Sequence, residues 1–129
     1  MEASDDLRSA LEADPEIQLA VVFGSAALGA LTRRSDLDIG VMGVSASRLA
    51  GLAVVLAGIA GREVDLVLLD TAPPLLRFEI ARGGVLLLER SPGLWSDFRA
   101  RAMVDWWDWA PMARRFAAAA MTRLASETR

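Results

Sequence analysis

The chain of 129 residues contains no cysteine, histidine, tyrosine, asparagine or lysine. The absence of cysteine excludes disulfides, zinc–thiolate sites and thiol nucleophiles. The absence of histidine removes the commonest general base at neutral pH. Any catalysis must therefore use carboxylates, serine or threonine hydroxyls, arginine and bound metal ions. Because there is no tyrosine, the chain also cannot be modified on a tyrosine of its own.

The charge balance is slightly acidic. The net charge is −3, and arginine supplies all 14 basic residues. Nucleic-acid-binding domains are usually basic, so we expect no direct nucleic-acid partner. Hydrophobic residues make up 53% of the chain, which predicts a folded protein and suggests a surface for a protein partner.

Neither a signal peptide nor a membrane span is predicted. The N-terminus is acidic and polar, unlike a secretory signal. The longest apolar run, residues 49–61, is shorter than the roughly 20 residues that cross a bilayer. We therefore expect a cytoplasmic protein that forms a single domain over residues 1–129, with a helical C-terminal segment at about 92–126.

Apolar runs and alternating patterns predict a mixed sheet of about four strands packed by helices, which is an α/β (α+β) fold. Strands are predicted at 17–23, 36–42, 63–69 and 85–89, the last at a sheet edge. Predicted helices occupy 4–13, 25–31, 44–61, 74–82 and 92–109, followed by a last helix that ends near 126. In the helix at 44–61 we expect a core stripe of Leu49, Leu52, Leu56 and Ile59. Pro111 is expected to break or kink the C-terminal helix.

Residues 21–41 contain most of the candidate functional residues. Gly24 permits a tight turn and close approach of a ligand to the backbone. Ser25 offers a hydroxyl and an amide at a predicted helix N-terminus, where phosphate binds readily. Asp36 and Asp38 are two residues apart on a strand, so both carboxylates leave the same face. A phosphate-binding turn beside paired carboxylates suits a magnesium–nucleotide site. The structural alternatives are a solvated strand start and an ordinary turn capped by serine.

A further carboxylate, Asp65, lies within an otherwise apolar strand. The alternation places Glu63, Asp65 and Val67 on one face. A carboxylate in such a strand requires a partner. The partner is either a metal ion or an arginine such as Arg62.

The motif Gly24-Ser25, ten residues, then Asp36-x-Asp38 resembles the signature of the nucleotidyltransferase superfamily related to DNA polymerase beta. With Gly29, the longer string is similar to the minimal branch that includes MntA-type antitoxins paired with HEPN-domain toxins. Asp65 matches the third carboxylate of that family. Residues 73–80 and the tryptophan-rich tail also resemble the antitoxin subgroup.

The resemblance implies an enzyme that transfers AMP from ATP to a hydroxyl of a HEPN ribonuclease toxin, with tyrosine the expected acceptor. It implies that Asp36, Asp38 and Asp65 are catalytic residues that bind two magnesium ions. Asp65 would also accept the proton of the attacking hydroxyl. Gly24 and Ser25 would bind the β- and γ-phosphates of ATP.

One departure from the family motif keeps other functions open. Where the family often has an arginine before the second glycine, this chain has Leu28. Arg33 or Arg34 could replace that charge. The alternatives to the AMP-transferring antitoxin are a degenerate module that neutralises the toxin by binding alone, and a stand-alone transferase for a small molecule.

Two further groups of residues have two interpretations each. Arg77, Glu79 and Arg82 either contact nucleotide or partner, or form a solvated helix surface. All four tryptophans lie in the C-terminal third, at 95, 106, 107 and 109. We expect some in the core and at least one at a partner surface, where tryptophan is enriched.

Overall fold

A four-stranded sheet with helices on both faces forms the centre of the protein. The computed structural model describes residues 2–24 and 36–127. The helices are α1 (Glu2–Glu12), α2 (Leu49–Ala60), α3 (Pro74–Gly83) and α4 (Leu94–Glu127), and a 3₁₀ turn at Ala46–Arg48 precedes α2. The strands are β1 (Leu19–Phe23), β2 (Leu37–Met42), β3 (Val64–Leu68) and β4 (Val85–Glu89).

The sheet is mixed, with the strand order β3-β2-β1-β4. Strand β1 pairs antiparallel with both β2 and β4, whereas β2 and β3 pair in parallel. A parallel pair needs a crossover connection, and α2 lies in that connection. This arrangement confirms the predicted mixed sheet and α+β fold class, including the edge position of β4.

The hydrophobic core lies in two layers, one on each face of the sheet. Strand β1 contributes to both layers because its side chains alternate between the faces. Ala20 packs into the layer beneath α1 and α2, and Val21 packs into the layer beneath α3 and α4. Residues Leu37, Ile39 and Val41 of β2 all face the α1–α2 layer. The carboxylate of Asp38 therefore projects from the opposite face, on the side of α3.

The apolar stripe of α2 differs from the predicted one at its end. Leu56 is fully buried, and Leu49 and Leu52 pack against the same core layer. Ile59, predicted to belong to this stripe, is instead 37% exposed, and Ala60 packs there. The reason is the rotation of 100° per residue about the helix axis. Residue 60 points in nearly the same direction as Leu49 and Leu56, whereas residue 59 lies at the margin of the buried face.

Helix α4 continues through Pro111 as one helix of 34 residues, so of the predicted break or kink, the break is wrong. A proline inside a helix removes the hydrogen bond to the carbonyl four residues earlier. Here that carbonyl belongs to Trp107, which is 70% exposed, and Pro111 is exposed too. Water can therefore solvate the freed carbonyl group. In the part of the chain that the structure describes, no helix combines the length and apolar character needed to span a bilayer.

An ion pair connects the end of α1 to the start of α2. Arg48 Nη2 lies 2.6 Å from Asp14 Oδ2, and Arg48 Nη1 lies 2.9 Å from Glu16 Oε2. The hydrogen bond from Arg48 lowers the pKa of Asp14 below its ordinary value of 3.8. The ionised carboxylate of Asp14 is thus favoured in the folded state.

Replacing Asp14 with asparagine should lower the thermal midpoint at pH 7. A carboxyl whose pKa is depressed by folding stabilises the protein above its unfolded pKa, and that contribution disappears as pH falls through the folded pKa. The difference between wild type and Asp14→Asn should therefore shrink below about pH 3.8. Thermal unfolding from pH 7 to pH 2.5 tests this. The matched variant Glu16→Gln, at a more exposed carboxylate, should lose less; a larger loss there would contradict the assignment.

Candidate functional site

Strand pairing brings the three predicted aspartates to one end of the sheet. Asp38 is the register partner of Asp65 across the parallel pair β2–β3. Neighbouring strands lie about 4.8 Å apart, so the two residues are adjacent. Asp36 immediately precedes β2, and its charge raises the pKa of Asp38. Carboxylates separated by 27 residues in sequence thus become neighbours through the β2–α2–β3 crossover.

Gly24 lies against the carboxylate of Asp38. Its backbone has φ +72°, the left-handed conformation that glycine adopts most readily. A Cβ atom placed there would lie 2.7 Å from Oδ2 of Asp38. Phe23, the residue before it, is the register partner of Asp38 across β1–β2. The backbone of Gly24 thus has the conformation that the predicted tight turn requires, and only glycine leaves room there for the carboxylate of Asp38.

The pKa of Asp38 is raised above its ordinary value of 3.8. Burial contributes most, followed by the negative charges of Asp65 and then Asp36. Both effects disfavour the ionised carboxylate. Like-charged groups held together in this way are typical of sites that bind a cation or perform catalysis.

The donor chemistry at this end of the sheet suits a hard divalent cation, because magnesium prefers carboxylate oxygens. Within residues 2–24 and 36–127, however, no group of three acidic side chains has the geometry to hold a metal ion. The backbone brings the aspartates to one end of the sheet, and the metal site itself stays a prediction.

Asp65 is exposed on edge strand β3, so it does not need the buried partner that its apolar surroundings predicted. Among the ion pairs of the described residues, none joins Asp65 to Arg62. Atom Nη1 of Arg62 is buried without a hydrogen-bond partner there. The ion-pair alternative for Asp65 therefore has no support from the described contacts.

Several sequence-based predictions lie outside the described residues. They concern Ser25, the departure at Leu28, and the replacement charges Arg33 and Arg34. The same applies to the short helix predicted at 25–31.

A cavity of about 390 Å³ opens beside Gly24. Its described lining consists of Phe23, Gly24, Glu79, Arg82 and Gly83. The volume lies within the range of small-molecule sites, roughly 300–1,000 Å³. None of the three aspartates is among the described lining residues; the cavity and the carboxylates are connected through Gly24, which lines the cavity and lies against Asp38.

The sequence profile described as "Polymerase beta, Nucleotidyltransferase" matches residues 5–93, more than half of the chain. The chain belongs to the polymerase beta nucleotidyltransferase family. The matched region contains Gly24, the three aspartates and the described lining of the cavity, whereas all of α4 lies beyond it.

Solved structures share the fold of this nucleotidyltransferase. One is a toxin–antitoxin crystal structure with AMP-PNP: the identity is 24%, the alignment covers 92% of this chain and 98% of that one, and the TM-score is 0.82. Another is the MntA–HepT toxin–antitoxin, with 21% identity, 92% and 97% coverage and a TM-score of 0.76. A third is a tri-AMPylated HEPN toxin from Shewanella oneidensis in complex with MNT antitoxin, with 21% identity, 92% and 96% coverage and a TM-score of 0.77. No curated protein matches the chain by sequence. At these identities the structural likeness establishes the fold of the nucleotidyltransferase.

Sequence reasoning missed two residues that line the cavity, Phe23 and Gly83, and left Arg82 undecided. The pairing of β1 with β4 explains their position. Val22 is the register partner of Val85, and continuing this antiparallel register by two residues brings Gly24 level with Gly83. The sequence predicted that this helix ends at residue 82, but only strand pairing reveals what that end adjoins.

Proposed function

We propose that this nucleotidyltransferase is an antitoxin that transfers AMP from ATP to a tyrosine hydroxyl of a cognate HEPN ribonuclease toxin and thereby neutralises it. The observation that carries the proposal is the alignment of Asp36, Asp38 and Asp65 beside the Gly24 turn. The similarity to toxin–antitoxin structures, one with AMP-PNP and one with an AMPylated toxin, supports the choice of substrate and partner. ATP as substrate makes the cytoplasm the proposed location.

In this mechanism Asp36, Asp38 and Asp65 would hold Mg²⁺, with two ions as the proposed number. Bound magnesium supplies charge neutralisation at the phosphates and orientation for in-line attack. Asp65 takes the proton of the acceptor hydroxyl, and its exposure makes it reachable from outside the protein. The hydroxyl oxygen then forms a bond to the α-phosphorus, and the bond to the β-phosphate breaks to release pyrophosphate. Gly24 and Ser25 would bind the terminal phosphates through backbone amides and the serine hydroxyl.

The acceptor must come from another molecule if it is tyrosine, because the chain has none. Residues 107–124 of α4 offer a docking surface for such a partner. Its large apolar side chains are strongly exposed; we call them the α4 surface, namely Trp107, Met112, Phe116, Met121 and Leu124. Trp106 instead stacks on Phe78 at 5.2 Å between ring centroids, so it is held within the protein.

Replacing Phe116 with serine should weaken toxin binding at least tenfold. Phe116 is 70% exposed, so its removal costs the isolated protein little stability, whereas an aromatic ring buried at an interface contributes about 2 kcal/mol or more. Val54→Ser on α2 is the matched control, because Val54 is 73% exposed and lies outside the α4 surface. Affinities for the cognate HEPN toxin, with the thermal midpoint of each variant, test this. Equal losses in both variants would contradict a specific α4 surface.

The deciding experiment for the function is the intact mass of the toxin after incubation with this protein, ATP and magnesium. A gain of one or more AMP groups supports the proposal. If the mass is unchanged but a stable complex forms and suppresses the ribonuclease, the proposed activity is wrong and neutralisation by binding replaces it.

A further inference from the structure

The cavity beside Gly24 contains a cationic side chain supplied by α3. Helix α3 ends at Gly83, and the β1–β4 pairing holds that end next to Gly24. Arg82, in the last turn of α3, lines the cavity together with Glu79 one turn earlier. Arg77 of the same helix lies elsewhere and pairs with Asp105 of α4 at 2.9 Å. Arg77 is therefore separate from the pair of Glu79 and Arg82 at the cavity.

The electrostatics of the cavity require a cation if an anion is to bind there. The C-terminal end of a helix carries a partial negative charge, and Glu79 adds a full one. Asp38 lies on the other side of Gly24. Among the described lining residues, Arg82 provides the only positive charge. Without Arg82, the charged side chains that a polyphosphate would meet among the described lining residues reduce to that of Glu79.

Neighbouring side chains hold Arg82 in position, although its own side chain is largely exposed. Its Nη2 donates a hydrogen bond of 2.9 Å to Oε2 of Glu79, and its guanidinium carbon lies 5.8 Å from the ring centroid of Phe78. The side chain is 65% exposed. The hydrogen bond to Glu79 uses one of the five N–H donors of the guanidinium group. The planar arrangement of the remaining donors suits phosphate oxygens. Glu79 and Phe78 thus hold Arg82 at the cavity while leaving donors for a ligand.

We propose that Arg82 binds the β- and γ-phosphates of the nucleotide in this cavity. The inference rests on the proposed function and adds a residue that determines specificity for triphosphate over monophosphate. Negative charge builds up on the departing pyrophosphate during transfer, and a cation at that position stabilises it. Arg82 would therefore assist both binding and release of the leaving group.

The test compares binding of ATP and AMP, measured by calorimetry in magnesium with the full chain. Arg82→Gln should weaken ATP binding at least tenfold and AMP binding less than twofold. Arg82→Lys, which keeps the charge, should recover part of the preference for ATP. The control Arg123→Gln removes the same charge from an exposed position on the second half of α4 and should change neither affinity. An unchanged ratio of ATP to AMP affinity in Arg82→Gln would overturn the inference.

A steric variant tests the cavity independently of charge. Gly83 lines the cavity, and a Cβ atom added there meets no atom within 4 Å. Gly83→Gln should therefore fold normally and reduce ATP binding at least tenfold by filling the space. Gly58 of α2 has the same open surroundings, so Gly58→Gln is the control and should bind ATP like wild type. Normal ATP binding by Gly83→Gln would place the phosphates elsewhere and overturn the inference.

The two proposals fail in different ways. If ATP binding depends on Arg82 but no AMP reaches the toxin, the proposed function is wrong and the role of Arg82 in triphosphate binding stands. If AMP reaches the toxin and Arg82→Gln keeps the wild-type preference for ATP, only the role of Arg82 is wrong. A wild-type protein that binds no ATP overturns both.

Discussion

Replacing Asp36 and Asp38 together with asparagine should abolish AMP transfer while the protein stays folded. The expected loss is on the order of 10³-fold or more, because the groups proposed to hold magnesium and align the phosphates are removed together. The fold should not suffer, since burial and neighbouring charges raise the pKa of Asp38. A carboxyl with a raised folded pKa stabilises the protein only below its unfolded pKa, and the benefit is lost as pH rises through the folded value. At pH 7 the charge is therefore a cost that asparagine removes.

Two measurements check this result. The first is the rate of AMP addition to the toxin. The second, independent of activity, is the thermal shift on adding magnesium and ATP, which should raise the wild-type midpoint and leave the variant unchanged. The control pair Asp6→Asn and Asp70→Asn makes the same charge change at exposed positions away from the turn at Gly24. Transfer at the wild-type rate by the Asp36/Asp38 variant would show that the assigned carboxylates are not the catalytic ones.

Replacing Gly24 with alanine should damage both stability and activity. The left-handed conformation at φ +72° costs a non-glycine residue about 1–2 kcal/mol. The new Cβ would also lie 2.7 Å from Oδ2 of Asp38, so the carboxylate must move. A displacement of about 1 Å at a reacting centre can reduce the rate roughly 100-fold. We therefore expect a loss of transfer that exceeds what the lost stability alone explains.

Gly61 provides a control that separates these two effects. Its φ is +71°, nearly the same as that of Gly24, but a Cβ atom added there meets nothing within 4 Å. Gly61→Ala should lose a similar free energy of unfolding and keep wild-type transfer rates. Urea unfolding and AMP-transfer kinetics on both variants provide the comparison. Equal activity of the two variants would mean that the contact with Asp38 has no catalytic consequence.

Family membership and fold together identify a nucleotidyltransferase domain, and they leave the proposed AMP transfer to experiment. The profile match and the mixed sheet agree that this is a polymerase beta nucleotidyltransferase domain. The exposed α4 surface lies entirely beyond the matched region, so the family match says nothing about the proposed docking of a partner there. The mass measurement and the Phe116 variant therefore test separate halves of the proposal, one chemical and one concerned with recognition.

Local patterns in the sequence predicted most of the elements correctly. Continuous or alternating apolar residues located all four strands, and α2 and α3 end within one residue of their predicted ends at 61 and 82. The strand signal works because the alternation of side chains along a strand depends on nearby residues alone. Two predictions failed for local reasons. Ile59 was predicted to be buried but lies at the angular margin of its helix face. A helix break at Pro111 is absent because the carbonyl that the proline leaves unbonded is exposed.

The sequence by itself determined the fold class, the need for glycine at residue 24 and the identity of the candidate carboxylates. It did so because the motif Gly24-Ser25 with Asp36 and Asp38 is compact in sequence. Only the tertiary structure decided which distant residues meet that motif. The parallel pairing of β2 and β3 placed Asp65 beside Asp38, and the pairing of β1 with β4 placed the end of α3, with Arg82, beside Gly24. Strand pairing joins segments far apart in the chain, and no local pattern specifies which strands become neighbours.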